Sequence, residues 1–292
     1  MTMREKSFAA FILTHGRPNR VITAHALAKA GYTGPVYIVV DDEDKTRDAY
    51  IANFGLERVL VFSKAEIAKT FDEGDNFNDR RAIIYARNAC FDLAEQVGVR
   101  YFIQLDDDYT DFRFKLDSHF RYCDQGMRGC LDGVFDLLLD YFKTIPALSI
   151  AMAQGGDFIG GKDCTNWLPA FYPTRKAMNT FICDTRRRFQ FFGRINEDVN
   201  TYTALGRRGG LFLTVPNVAI QQLQTQSNAG GMTDLYLDSG TYVKSFYTVM
   251  YAPSCAFIRE MRSINKRLHH EIKWRYAVPK IIDEVHRKKQ AA

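Results

Sequence analysis

Tyr101-Phe-Ile-Gln-Leu-Asp-Asp-Asp-Tyr109 is an apolar run that ends in three consecutive carboxylates, Asp106, Asp107 and Asp108. On an extended chain alternate residues face opposite sides, so Asp106 and Asp108 converge while Asp107 turns away. Two convergent carboxylates repel unless a cation lies between them, and an all-oxygen pair suits Mg2+ or Mn2+. Such an ion takes its remaining ligands from water and substrate phosphates. The run therefore reads as a buried strand ending in a metal–diphosphate site. The competing reading is a strand followed by a solvated acidic turn, and the rest of the chain decides between them.

Working outward, three further strands alternate with helices. Ser7–Thr14 is an apolar run that breaks at His15-Gly-Arg-Pro-Asn19, and a helix follows from Val21 to Ala30, closed by Gly31. Val36–Val40 ends in Asp41-Asp42, Lys45–Phe54 is helical and closed by Gly55, and Val59–Phe62 is a short strand. Ile83–Val97 is helical and leads into Tyr101. This alternation is that of βαβ units with a parallel sheet buried on both faces. Ligands of such sheets bind beyond the carboxyl ends of the strands. Three strand ends carry polar groups there, Thr14/His15/Arg17, Asp41/Asp42 and Asp106/Asp108, which favours a site over a turn.

Past Arg113 the pattern changes. Helices are expected over Leu131–Phe142 and after Asn196-Glu-Asp198, and strands over Ala147–Ala153, Asn179–Asp184 and Leu211–Val215. Gly-rich loops are expected at Gln154–Gly161, where repeated glycines suit mobility or close backbone approach to a ligand, and at Gln221–Met232. No apolar run reaches the ~20 residues that span a bilayer, and no signal peptide is read at the N-terminus. The six scattered cysteines lack a C-x-x-C pair and read as reduced thiols of a cytoplasmic protein. Charge is uneven. Residues 259–292 hold ten Lys/Arg against four Asp/Glu, whereas the remainder holds 29 against 30. The expectation is one domain over 1–258, with halves 1–113 and 114–258, and a basic helical extension over 259–292 that meets a polyanion.

These motifs resemble nucleotide-sugar-dependent glycosyltransferases of the GT-A fold, a Rossmann-like, mostly parallel α/β sheet flanked by helices. Asp106-Asp107-Asp108 stands as the D-x-D motif and Asn196-Glu197-Asp198 as the acidic x-E-D motif of inverting members. The order and the roughly ninety-residue separation fit that layout. More narrowly, Gln104-Leu-Asp-Asp-Asp-Tyr109, Asn78-Asp-Arg-Arg-Ala82 with Ala86-Arg-Asn88, and Phe192-Gly-Arg-Ile-Asn-Glu-Asp198 are similar to phage glycosyltransferases associated with TET-type oxygenases. The resemblance implies a UDP-sugar donor, Mn2+ or Mg2+ on Asp106 and Asp108, and transfer to a hydroxymethylated pyrimidine, 5-hydroxymethylcytosine, in phage DNA.

The resemblance also implies residue roles. Thr14, His15, Arg17, Asp41 and Asp42 would contact the nucleotide, and Arg80, Arg81, Arg87 and Asn88 the sugar diphosphate. Asp107 would reach the donor ribose or sugar. Asp198 would be the general base, with Glu197 its fallback, and His269 or His270 a third metal ligand. The basic tail with Trp274 and Tyr276 would bind DNA, with the target base flipped out. The alternatives are a glycan, lipid-linked or protein acceptor, and a non-catalytic nucleic-acid-binding module on this fold. A carboxylate-metal nuclease is a more distant one.

Overall fold

The computed structural model describes residues 8–75, 80–119, 121–154, 158, 161–163, 180–223, 243–260 and 268–279. The expected Gly-rich loop residues 155–157 and 224–232 lie outside this set, as do Cys164 and residues 261–267 and 280–292 of the basic segment. Nine strands form one sheet in the order β3-β2-β1-β4-β8-β7-β9-β5-β6. They are β1 (Phe8–Leu13), β2 (Val36–Asp41), β3 (Val59–Phe62), β4 (Tyr101–Asp106), β5 (Tyr109–Leu116), β6 (Tyr122–Gly126), β7 (Ala147–Gln154), β8 (Phe181–Asp184) and β9 (Leu211–Gln222). Following the pairings across the sheet, seven strands run one way, and β8 and β5 run against them.

Both faces are covered, which is why β1 is apolar at every position. Phe8, Ala10 and Ile12 pack beneath α1 (Ile22–Ala30), α2 (Arg47–Phe54) and α5 (Leu131–Thr144). Ala9, Phe11 and Leu13 pack beneath α4 (Ile84–Gln96) and α6 (Glu197–Gly206). α1 ends at Gly31 with φ 92°, in the left-handed region where glycine carries no Cβ penalty. A short α3 (Lys64–Ala68) follows β3, and residues 243–251 form α7. Among the described residues no helix is long and apolar enough to cross a membrane.

Three expectations need correction. The chain leaves β4 through a two-residue turn and enters β5, a strand the charges of Thr110-Asp-Phe-Arg-Phe-Lys115 conceal. Those charges are neutralised across strands, Arg113 by Asp111 (3.0 Å) and Asp124 (2.6 Å) and Lys115 by Asp124 (2.8 Å). β5 lies four places from β4, or ~19 Å in a flat sheet, yet the turn spans at most ~11 Å. The sheet therefore curls, and β5 packs against α1. A division at residue 113 would cut β5. Second, β9 runs to Gln222 rather than ending at Val215, and its outer half pairs with β5. Third, the described part of the C-terminal segment is not a helical extension. β10 (Ala256–Glu260) and β11 (Leu268–Ile272) form an antiparallel hairpin, with Arg259 paired to Glu271 at 2.9 Å, before a four-residue helix, α8 (Trp274–Ala277). Cross-strand charge pairing hides this hairpin in the sequence, and a boundary at 258 falls inside β10.

Candidate active site

Strand register puts the polar strand ends on one edge. Leu13 is opposite both Val39 of β2 and Asp106 of β4, so Thr14, Asp41 and Asp106 leave the sheet side by side. Thr23 near the start of α1 clamps the acidic turn. Its backbone N–H donates to the Asp107 carbonyl (3.2 Å), its hydroxyl donates to the Asp106 carbonyl (2.6 Å), and the Tyr109 N–H donates to that hydroxyl (2.9 Å).

The three carboxylates have separate surroundings. Asp107 is buried with both oxygens engaged, one accepting from the Thr14 hydroxyl (2.7 Å) and the other facing Arg17 (3.2 Å). These contacts tie Asp107, the residue expected to reach the donor, to the first loop. Asp106 accepts from Arg87 at 3.1 Å. Burial pushes its carboxyl up to about 7; Arg87 opposes the shift, while Asp108, Glu197 and Asp107 add to it. Asp108 is also raised by burial and by Asp107, with Arg17 opposing. Apart from its own backbone N–H, no described group hydrogen-bonds or ion-pairs with the Asp108 side chain.

Arg87, expected beside the sugar diphosphate, is engaged by protein groups. It is 1% exposed, and its guanidinium donates to Glu197 (3.0 Å), to Asp106 (3.1 Å) and to Gln104 (3.4 Å). Phe181 and Phe191 lie 5.1 and 5.8 Å from it on cation–π contacts. The forked cation is consumed in joining the two acidic motifs, reaching Glu197 from 110 residues earlier in the chain. The Asn88 amide exchanges both hydrogen bonds with the Phe191 backbone (2.8 and 3.0 Å), pinning the loop before Glu197.

Glu197 is raised by burial and by Asp198, with Arg87 opposing. Asp198, the next residue of α6, is 7% exposed and has no hydrogen-bond or ion-pair partner among the described residues. Both occupy the first turn of α6, where the helix dipole favours negative charge. Of the two, Asp198 is the carboxylate left uncommitted.

The first loop is a second network. His15 Nδ1 is 2.7 Å from Asp41, whose carboxylate also meets the buried Lys64 at 3.1 Å. These partners hold Asp41 below the usual carboxylate range against its burial. Asp42 accepts from the Lys64 N–H (2.9 Å), and Asp44 from the Gly16 N–H (2.7 Å). Tyr50 accepts from the Arg17 N–H (2.8 Å) and contacts the Thr14 hydroxyl (2.9 Å). Arg80 pairs with Glu43 on the surface (2.5 Å), bridging to the loop after β2. His15, half exposed at 53%, is thus the group this network turns outward. Sequence reading missed Thr23, Lys64, Tyr50 and Gln104. Only Gln104, an amide inside an apolar strand, carried a signal.

The donor set fits a hard divalent cation. Asp106 and Asp108 face each other's field with Glu197 close by, and the like charge that lifts Asp106 is what such an ion would relieve. Among the described residues no three His, Cys, Asp or Glu side chains gather as a metal-binding group, so His269 does not complete a set with Asp106 and Asp108. His269 lies on β11, and it is His270 that reaches Asn196 (3.4 Å). One prediction follows from Asp106. A carboxyl raised from 3.8 to about 7 retains a proton that the unfolded chain loses, so its contribution to stability declines as pH rises between those values. Asp106→Asn should raise the melting temperature of metal-free protein by a few degrees at pH 8 and leave it unchanged near pH 4. It should also remove stabilisation by Mn2+. Melting curves against pH, with and without Mn2+, measure both effects.

Three solved structures of similar shape are distant in sequence. GalNAc-T7, crystallised with UDP, GalNAc and Mn2+, aligns at 12% identity over 77% of this chain and 45% of its own, with a TM-score of 0.44. The mannosyltransferase PcManGT from Pyrobaculum calidifontis, in complex with GDP-Man and Mn2+, aligns at 12% identity over 74% and 56%, with a TM-score of 0.44. Glucosyl-3-phosphoglycerate synthase from Mycobacterium tuberculosis aligns at 9% identity over 92% and 88%, with a TM-score of 0.45. The chain thus spans about half the length of the first two. No curated protein sequence matches it. A family model does: TET-Associated Glycosyltransferase matches residues 8–231, a span that holds the first loop, the Asp106–Asp108 turn, Arg87 and the Glu197-Asp198 helix start, and the chain belongs to that family.

Proposed function

We propose that the protein transfers a sugar from a UDP-sugar to the hydroxyl of 5-hydroxymethylcytosine in DNA, with inversion at the sugar carbon. The observation that carries the catalytic part is the Arg87 bridge, which brings Asp106 and Glu197 onto one guanidinium and leaves Asp108 and Asp198 uncommitted beside them. Asp106 and Asp108 would hold Mn2+ or Mg2+, which when bound offsets the charge developing on the departing diphosphate. The first loop, with His15 turned outward and Arg17 fixed by Asp107, binds and orients the nucleotide. Asp198 takes the proton from the acceptor hydroxyl as its oxygen bonds to the sugar carbon and the bond to the β-phosphate oxygen breaks. Arg87 keeps Glu197 from competing for that proton.

The DNA acceptor is supported by family membership and by the basic residues near the C-terminus. A paired base would leave the duplex to reach a site this recessed. The test is incubation of the protein with hydroxymethylcytosine-containing DNA, Mn2+ and a panel of UDP-sugars, followed by nucleoside mass spectrometry. The expected result is a nucleoside heavier by one sugar residue. Release of UDP without a heavier nucleoside would move the acceptor to a glycan, lipid-linked or protein hydroxyl. Absence of both turnover and Mn2+-dependent UDP binding would reject the catalytic reading.

A further inference from the structure

Asn196, immediately before Glu197 and Asp198, is the one non-glycine among the described residues with a positive φ, at 56° with ψ 39°. Asparagine tolerates this left-handed region better than most residues, yet it persists only where surroundings impose it. An asparagine at a helix N-cap ordinarily spends its side chain on the first-turn N–H groups. Here it does not cap α6. Its amide nitrogen instead donates to the Lys244 carbonyl (2.7 Å) and the Thr248 hydroxyl (3.2 Å) of α7, and faces His270 Nδ1 of β11 (3.4 Å). The Lys244 carbonyl can only accept, which settles which end of the amide points at α7.

The same C-terminal elements grip the loop on either side. Arg194, fully buried, forms an ion pair with Asp75 through two nitrogens (2.8 and 3.0 Å), and the Tyr247 hydroxyl of α7 donates to the same carboxylate. The Gly193 and Arg194 N–H groups donate to the Asp72 and Glu73 carbonyls (2.7 and 2.8 Å). At Gly193, φ 79°, a Cβ would fall 2.6 Å from the Tyr251 ring. Behind α6, Trp274 of α8 stacks on Tyr202 at 5.6 Å. All of α7, β10, β11 and α8 lie beyond residue 231, where the family match ends.

We infer that α7, the β10–β11 hairpin and α8 are part of the catalytic scaffold: through Asn196 they set the backbone turn that aims Glu197 and Asp198, making Asn196 and Thr248 positioning residues. This rests on the proposal that the start of α6 supplies the base. These elements are thus tied to the site rather than forming a separable extension. The full-length chain tests it through four variants, Asn196→Ala, Asn196→Gly, Thr248→Val and Asp198→Asn. UDP release gives kcat, and calorimetry gives Mn2+ and UDP affinities. Asn196→Ala should lower kcat at least tenfold with both affinities unchanged. Asn196→Gly, free to adopt φ 56° but lacking the amide, should recover melting temperature without recovering kcat. Thr248→Val should lower kcat two- to fivefold. Wild-type kcat in Asn196→Ala and Thr248→Val, or a loss of UDP and Mn2+ affinity as large as the loss of kcat, would overturn the inference. A slow Asp198→Asn beside a fully active Asn196→Ala rejects the positioning role alone. The reverse pattern rejects Asp198 as base and leaves Asn196 serving Glu197.

Discussion

Arg87→Met is expected to abolish turnover and to destabilise the fold by about 3–5 kcal/mol, the scale for removing one partner of a buried ion pair. Arg87 is among the largest fully buried side chains, and its cation stands between Asp106 and Glu197. Methionine fills much of the volume but leaves two carboxylates facing each other without compensation. Both are already raised by burial, and without Arg87 both rise further. They then fold protonated, so the deficit should be small in acid and grow as pH rises past neutrality. Arg87→Lys retains a charge but not the fork that reaches both carboxylates and Gln104, and should recover only part of the stability. Chemical denaturation at pH 5 and pH 8 measures the effect. An equal loss at both values would mean that packing against Phe181 and Phe191, rather than charge, holds the arginine.

Asp198→Asn should lower kcat for transfer by ~10²–10⁴-fold, the usual contribution of a positioned general base. Little else should change. The side chain has no partner among the described residues, so the amide breaks no ion pair and the melting temperature should stay within a few degrees of wild type. Affinity for UDP with Mn2+ should also be unaltered, since the proposed nucleotide and metal contacts lie on the first loop and the Asp106–Asp108 turn. Glu197→Gln should behave differently, because it deprives Arg87 of a partner and should lose stability as well as rate. Comparing kcat with melting temperature in the two variants separates the base from the residue that supports it.

Much of the N-terminal half was legible because its signals are local. The uninterrupted apolar run of β1 announces a strand covered on both faces, and Gly31 and Gly55 close the helices where the periodicity ends. β5 escaped because Asp111, Arg113 and Lys115 look like a solvated segment until Asp124 is placed beside them. The hairpin of β10 and β11 escaped for a similar reason, with Arg259 and Glu271 twelve positions apart in sequence and 2.9 Å apart in space. Arg87 and Asn88 read as ligand contacts in the sequence, and in the fold their side chains bond to Asp106, Glu197 and the Phe191 backbone. From sequence, an arginine near acidic motifs looks like a phosphate ligand, because nothing local tells how deeply α4 buries it.

The sequence by itself determined where the acidic turn lies: an apolar strand covered on both faces must end before a run of carboxylates, so Asp106–Asp108 had to stand at the carboxyl end of β4. Only the tertiary structure decided how the labour is divided among the acidic groups. Thr14 and Arg17 take Asp107, Arg87 takes Asp106 and Glu197, and Asp108 and Asp198 remain uncommitted. The physical reason is that a carboxylate's availability depends on its neighbours within a few ångströms, and here those neighbours come from positions as many as 110 residues away.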